Sequence, residues 1–156
     1  LQDLTDARVL PADRATALFA EFKAIGAGAD ALGLAEFLVQ AGLLTPHQAE
    51  KALAGQAAKL TLGPYLLLEP VGAGSLGTVY RAVRRADGQR FAVKVLPLRS
   101  MWNVIQAKKQ VQTFAALPRH PAVVPFVDID TAAGSHYLAW PFLEGETFDH
   151  LVRLAG

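Results

Sequence analysis

Two different hydrophobic patterns follow one another along the chain and meet near residues 60–63. Before this point alanine and leucine dominate, and the apolar residues recur every three or four positions, as they do along one side of a helix. Beyond it, short runs of β-branched and aromatic residues alternate with turn residues, which is typical of strands. The two patterns predict an α+β protein with a small helical module at residues 1–60 and a domain built on a sheet at residues 61–156.

Glycine and proline residues divide the helical module into shorter helices. One predicted helix follows Pro11, and another ends at Gly42. The pair Thr45-Pro46 offers an N-cap and a first helical residue for a further helix, which we expect to continue to about Lys59.

A faint repeat relates the two halves of the helical module at an offset of 34 residues. It matches apolar positions in pairs: Leu4/Leu38, Ala7/Ala41, Val9/Leu43, Leu10/Leu44 and Ala15/Ala49. Two helix-turn-helix units would produce this pattern, and chance alignment of alanine-rich helices explains it equally well.

The second part has the order strand, strand, strand, helix, strand, strand, helix. We expect a five-stranded antiparallel sheet, with strands at residues 65–71, 78–84, 90–96, 126–130 and 137–142. One main helix, capped by Ser100 and ending near Leu117, separates the third strand from the fourth. Thr147 can cap a final helix that starts at Phe148.

A glycine-rich turn and a lone lysine are the most informative residues of this domain. The turn lies between the first two strands and comprises Gly72, Ala73, Gly74, Ser75, Leu76 and Gly77. Lys94 stands on the third strand between apolar neighbours. Glycine lets a backbone approach a phosphate closely and a nearby lysine can neutralise it, so the pair indicates a nucleotide site. A tight hairpin without a ligand would explain the glycines alone, but an unpaired lysine on an apolar strand is costly without an anionic partner.

Composition narrows the range of functions. The 156 residues carry a net charge of +1, which gives no reason to expect a nucleic acid or a membrane as partner. The sequence has no cysteine, no apolar run of transmembrane length and no signal-peptide pattern, so we expect a cytoplasmic protein. The four histidines lack metal-ligand spacing, and no metal site is predicted. The chain begins with Leu1 rather than Met, which suggests a piece of a longer protein.

The motifs of the second part, taken in order, resemble those of a known family. Gly72, Gly74, Gly77 and Val79 fit the pattern G-x-G-x-x-G-x-V, and Ala92-Val93-Lys94 fits A-x-K. His120-Pro121 and the run from Tyr137 to Gly145 follow at the expected places. From about Leu62 to its end, the chain therefore resembles the N-terminal lobe of a bacterial serine/threonine protein kinase. Dinucleotide-binding domains share the glycine pattern, but there the third glycine opens a helix, whereas here a strand follows.

The resemblance implies ATP or another nucleotide as ligand. Its loop would comprise Gly72, Ala73, Gly74, Ser75 and Gly77 around the phosphates. Val79 and Ala92 would enclose the adenine, and Lys94 would contact the phosphates.

The resemblance also assigns roles to the end of the last strand. The backbone of Pro141 and Leu143 would hydrogen-bond the adenine from the hinge between the lobes. Trp140 would close the pocket behind the adenine, although core packing alone also explains an indole there. Phe114 and Phe126 match apolar positions that face the second lobe of such kinases.

Several departures from the family pattern argue against catalysis. No Asp or Glu occurs between Phe91 and Val127, and Gln110 stands where the glutamate that pairs with the lysine belongs. The sequence contains neither H-R-D nor D-F-G, so no catalytic residue and no metal ligand are identified.

These departures predict a pseudokinase that binds ATP weakly and acts in signalling or scaffolding. The alternatives are a piece of an active serine/threonine kinase and an interaction module that binds no nucleotide. The expected partners are a nucleotide and either a further protein or the second kinase lobe. Self-association is expected too, because a lone N-terminal lobe leaves an apolar face bare.

Overall fold

The computed structural model describes residues 1–24, 30–75, 77–97, 113, 120–146 and 148–155. In chain order its elements are α1 (Gln2–Asp6), α2 (Ala12–Ala24), α3 (Ala31–Gln40), α4 (Pro46–Leu53), a 3₁₀ turn (Ala57–Leu60), β1 (Thr61–Leu62), β2 (Tyr65–Gly74), β3 (Gly77–Arg84), β4 (Arg90–Pro97), β5 (Asp128–Ala132), β6 (Ser135–Pro141) and α5 (Phe148–Ala155). The predicted main helix at 100–117, with Gln110 and Phe114, lies outside the described residues except for Thr113, and the predicted cap Thr147 lies outside them too.

The predicted α+β class is confirmed. Among the described residues one sheet forms, with the strand order β1-β2-β3-β4-β6-β5 and antiparallel pairing throughout. The predicted number of five strands was wrong by one, because Thr61 and Leu62 add a short strand at the edge. Gly63, with a φ of 55°, lets the chain reverse there, so that Leu62 pairs with Tyr65. A strand of two residues is too short to show any alternation in the sequence.

Two of the predicted strands start two residues away from their predicted positions. The β5–β6 hairpin closes tightly, since Ala133 and Gly134 both have a positive φ, of 48° and 72°. Such a two-residue turn matches the natural twist of the strands, so the ladder runs up to Ala132 paired with Ser135. The sixth strand therefore begins two residues earlier than predicted, and the fifth begins at Asp128 rather than at residue 126.

The two halves of the helical module share one hydrogen-bond pattern at matching positions of the sequence repeat. The amide groups of Val9 and Leu10 both donate to the carbonyl of Leu4, at 2.8 and 3.2 Å. In the second unit, Leu43 and Leu44 donate to Leu38 at 2.9 and 3.2 Å. The helices α1 and α3 thus end in the same kind of turn, as two helix-turn-helix units would.

The last helix of this module is shorter than predicted. The capping box is present: the Thr45 hydroxyl accepts from the Gln48 amide, and the Gln48 side chain accepts from the Thr45 amide. The helix α4 ends at Leu53 rather than near Lys59, because Gly55 turns into the left-handed region with a φ of 67°. The 3₁₀ turn then leads the chain into the sheet and buries Leu60.

The two faces of the sheet differ in what covers them. We call outer face the side that carries Tyr65, Val93 and Tyr137, all buried in one cluster. The Tyr65 ring lies edge-on to both Phe91 and Tyr137, with centroids 5.1 and 5.7 Å apart. We call inner face the opposite side, where a smaller cluster forms around Leu138.

The helical module packs on the outer face, next to β2. The Gln48 amide nitrogen donates to the carbonyl of Leu67 at 2.8 Å, and the Thr45 hydroxyl donates to the carbonyl of Leu68. Leu68 is the extra residue of a β-bulge and has no partner on β3. The first turn of α4 is thus hydrogen-bonded to the strand that leads into the glycine-rich turn.

Candidate functional site

The sheet places the glycine-rich turn and Lys94 in one transverse row. The register pairs Gly72 with Val79, Val79 with Lys94, and Lys94 with Leu138 on four neighbouring strands. Neighbouring strands are about 4.8 Å apart, so the backbones at Gly72 and Lys94 are roughly 10 Å apart. A lysine side chain spans most of that distance, which brings its ammonium group within reach of a ligand at the turn.

The fold requires one of the three glycines of the turn and does not require the other two. Gly77 has a φ of 130°, and a Cβ there would collide with the carbonyl oxygen of Val95. The fold itself therefore requires glycine at residue 77. A Cβ at Gly72 or Gly74 would meet nothing within 4 Å, and neither residue has a positive φ. Glycine weakens a strand by about 0.5–1 kcal/mol relative to alanine, so the fold alone gives no reason for these two.

Lys94 lies half-buried on the inner face. It has neither an ion pair nor a hydrogen bond to any residue within the described parts of the chain. The stretch from Phe91 to Val127 contains no carboxylate that could pair with it, and Gln110 is outside the description. A half-buried lysine without a partner among the described residues is the kind of feature that an anionic ligand stabilises.

Ala92 and Trp140 continue the inner face beside this row. They are opposite each other in the register, and both side chains are half-buried. The Trp140 ring stands edge-on to Phe126, with centroids 5.2 Å apart and planes at 81°. Core packing therefore accounts for Trp140, while its role behind an adenine stays a prediction. Phe126, expected to face a second lobe, makes its aromatic contact with Trp140.

Part of the backbone at the end of β6 is not directed toward the neighbouring strand β4. The Phe142 amide donates to the carbonyl of Arg90 at 3.1 Å, so the polar groups of residue 142 point toward β4. Successive residues of a strand point to opposite sides, and the carbonyl of Pro141 hence points away from β4. Proline fits at this position because an N–H would have had no partner in β4. Leu143 is 64% exposed, next to an ion pair between Arg90 and Glu144 at 2.7 Å.

Two interactions near the site were missed in the sequence. Arg81 forms an ion pair with Glu69, its neighbour across the β2–β3 ladder. The contact of Thr45 and Gln48 with β2 was missed as well, although their spacing marks a capping box in the sequence. The spacing predicts the cap but not the strand on which it docks.

No group of three or more histidine, aspartate and glutamate residues in the described part of the chain stands close enough to hold a metal ion. No helix in the same part is long and apolar enough to cross a membrane.

Many of the curated proteins similar to this chain are named as protein kinases. Serine/threonine-protein kinase pkn2 of Myxococcus xanthus is 31% identical over 87 residues, which cover 54% of this chain and 10% of that protein. Calcium-dependent protein kinase 9 of Oryza sativa subsp. japonica is 33% identical over 92 residues, 56% of this chain and 16% of that protein. Serine/threonine-protein kinase PknD of Chlamydia muridarum is 31% identical over 91 residues, 57% of this chain and 10% of that protein. No protein-family profile matches the chain.

The matches and the fold agree on a class of protein. The chain contains a piece similar to the N-terminal part of a protein kinase domain, within an α+β fold. Its relatives are serine/threonine and other protein kinases. The chain spans well under a fifth of the length of these three relatives. Their activities are therefore properties of those whole proteins and do not carry over to this chain.

Proposed function

We propose that residues 61–156 form a nucleotide-binding, kinase-like lobe that binds ATP weakly and serves in signalling or scaffolding as a pseudokinase. The nucleotide would lie on the inner face, with its phosphates between the glycine-rich turn and Lys94. Val79 and Ala92 would contact the adenine, and the backbone of Pro141 and Leu143 would bond its edge.

One observation carries this proposal: the row that joins Gly72, Val79 and Lys94 across neighbouring strands. It combines an ammonium group that has no partner among the described residues with a turn whose first two glycines the fold does not need. An anionic ligand that approaches the backbone closely gives both features one explanation. A tight hairpin without a ligand would account for Gly77 alone.

The pseudokinase part of the proposal rests on the surroundings of Lys94. Active protein kinases need an ion pair between the lysine and a glutamate on the main helix, together with a metal-binding aspartate. The sequence has no carboxylate between Phe91 and Val127 that could form this ion pair. We therefore expect no phosphotransfer by the 156-residue chain, and incorporation of labelled phosphate that Lys94→Ala abolishes would overturn this part.

Calorimetry with ATP tests nucleotide binding. We expect a dissociation constant weaker than about 1 μM, which corresponds to roughly −8 kcal/mol. Lys94→Met should weaken binding at least about tenfold, because a charge-assisted phosphate contact is lost. The matched control is Lys23→Met on the exposed side of α2, which should leave affinity unchanged. Undetectable binding at millimolar ATP would instead favour an interaction module without a nucleotide.

A protein partner is the second element of the proposal. Several apolar side chains near the C-terminal end are exposed: Leu143 by 64%, Phe148 by 81% and Val152 by 55%. Exposed apolar patches of this kind usually mark an interface with another domain, a partner protein or a second copy. Light scattering at several concentrations distinguishes self-association from a strictly monomeric chain. The cytoplasmic location stays a prediction.

A further inference from the structure

A second cleft lies on the other side of the sheet, between the helical module and the outer face. Its volume is about 210 Å³, and α4, the 3₁₀ turn, β2, β3 and the β5–β6 hairpin all contribute to its lining. It is separate from the candidate nucleotide site. Tyr80 and Val95, which line it, alternate along their strands with Val79 and Lys94, and alternate residues point to opposite faces.

The floor of this cleft is apolar. Leu60, Leu62 and Leu67 are almost completely buried and still line it, together with the half-buried Tyr80 and Val95. These side chains belong to, or pack against, the hydrophobic cluster of the outer face. The floor can therefore receive an aromatic or short aliphatic group without any rearrangement of polar atoms.

The rim of the cleft consists of hydrogen-bond donors and positive charges. His47 and Lys51 come from α4, Gln56 and Lys59 from the following turn, and Ser135 from the hairpin. No carboxylate is among the described residues that line the cleft. Lys51 and Lys59 form no ion pair with any other part of the chain that the structure describes. Two lysines thus line one small space, and no carboxylate of the described residues lines it with them.

The electrostatics of His47 agree with a positive cleft. Burial lowers the pKa of His47, and the positive charge of Lys51 lowers it further. The carboxylates of Glu50 and Glu69 act in the opposite direction. Glu69 is already paired with Arg81. Neither glutamate lines the cleft.

We propose that this cleft binds a small amphipathic anion, in which an aromatic or short aliphatic body carries one phosphate or carboxylate group. The body would lie on Leu62, Leu67 and Tyr80, and the anionic group would lie between Lys51 and Lys59. Such a ligand would touch both the helical module and the sheet, and would bridge the contact between α4 and β2.

Nuclear magnetic resonance of the 156-residue chain tests the proposal with phenyl phosphate as probe. The ring protons of His47 report on the cleft. Inorganic phosphate and phenol, each of which corresponds to one half of phenyl phosphate, are the control ligands. We expect phenyl phosphate to shift the His47 signals saturably and to bind at least about tenfold more tightly than either half. Equal affinity for inorganic phosphate or for phenol would overturn the amphipathic assignment, and no saturable shift would overturn the site.

Variants distinguish this cleft from the inner face. The double variant Lys51→Gln/Lys59→Gln should weaken phenyl phosphate binding at least about tenfold, since both charges are lost. If the double variant folds poorly, Lys59→Gln alone, at an exposed residue, should still weaken binding by a smaller factor. Lys94→Gln is the control and should change the affinity at His47 less than about twofold. Retained affinity in the lysine variants, or loss in Lys94→Gln, would place the anion elsewhere and refute the proposal.

Discussion

Gln48 donates a hydrogen bond of 2.8 Å from its side-chain amide to the backbone carbonyl of Leu67, although the two residues belong to different parts of the fold. Gln48 is only 3% exposed and is the one buried polar residue in the described core. Its side-chain oxygen is used as well, because it accepts from the Thr45 amide at 3.0 Å. The same side chain thus caps α4 and attaches the helical module to β2.

Replacing Gln48 should therefore destabilise the whole chain. We expect Gln48→Ala to lower the free energy of unfolding by about 1–3 kcal/mol, because the Leu67 carbonyl and the Thr45 amide both lose a partner in a buried setting. Denaturant unfolding monitored by circular dichroism measures the change. The matched control is Gln40→Ala at the exposed end of α3, which should stay within about 0.5 kcal/mol of the parent. An equally small effect at Gln48 would show that the contact with β2 contributes nothing.

The repeat in the helical module leads to a prediction about backbone strain. Arg8 and Gly42 occupy the same turn in the two units, with φ values of 56° and 68°. Glycine adopts this left-handed conformation freely, whereas other residues lose about 1–2 kcal/mol there. Arg8→Gly should therefore raise the free energy of unfolding by up to about 1 kcal/mol, offset in part by the added freedom of the unfolded chain.

The same substitution in a helix is the control for Arg8→Gly. Arg14 is exposed in α2, where glycine is less favourable than other residues, so Arg14→Gly should lower the free energy of unfolding by about 0.5–1 kcal/mol. If the substitution of arginine by glycine stabilises the chain at residue 8 and destabilises it at residue 14, the backbone conformation is the cause of the difference. A loss of stability in both variants would mean that the Arg8 side chain makes a larger contribution than its backbone costs.

Local patterns allowed much of the fold to be predicted, and contacts between distant segments account for most of what was missed. The cap at Thr45 and the three strands around Lys94 each depend on residues close in sequence. The attachment of Gln48 to Leu67 joins residues 19 positions apart and follows no periodic pattern. The strand at Thr61 is too short for any pattern, and it depends on the turn at Gly63.

In the candidate site, too, local patterns could be predicted and contacts between distant segments could not. The row of Gly72, Val79 and Lys94 follows from motif spacing and from the two-residue alternation of strands, and the register places these residues on neighbouring strands. The edge-on contact of Phe126 with Trp140 depends on the path of the chain before β5, which the sequence does not reveal. The partner expected for Lys94, Gln110, lies outside the described residues.

The glycine-rich turn provides a test that separates folding from ligand binding. Gly77→Ala should destabilise the chain by several kcal/mol or prevent folding, because its Cβ would collide with the Val95 carbonyl at an unfavourable φ. Gly74→Ala should leave the melting temperature unchanged or slightly higher, because its Cβ meets open space. If a phosphate approaches this backbone, Gly74→Ala should still weaken ATP binding. Unchanged ATP affinity in a folded Gly74→Ala variant would remove the turn from the proposed site.

Because the pKa values of two tyrosines on the outer face are raised, we predict that the chain loses stability in alkali. Burial, together with the nearby carboxylate of Asp128, raises the pKa of Tyr65 to about 12. The same two causes raise the pKa of Tyr137, whose hydroxyl points toward Asp128 at 3.4 Å. In the unfolded chain a tyrosine loses its proton near pH 10, whereas the folded chain keeps both phenols protonated well above that pH. Unfolding therefore releases protons in this range, and the free energy of unfolding should fall as the pH rises from about 10 toward 12.

The double variant Tyr65→Phe/Tyr137→Phe isolates this effect, because it keeps the ring contacts and every lysine. Its stability at neutral pH should differ from the parent by about 1–3 kcal/mol at most, since only two hydroxyl groups are removed. Between pH 9 and 12 its free energy of unfolding should decline less steeply than that of the parent, because two of the groups that release protons on unfolding are gone. Urea unfolding at half-unit steps of pH measures both slopes. Parallel slopes would mean that other groups cause the alkaline loss and that the two phenols ionise equally in the folded and unfolded chain.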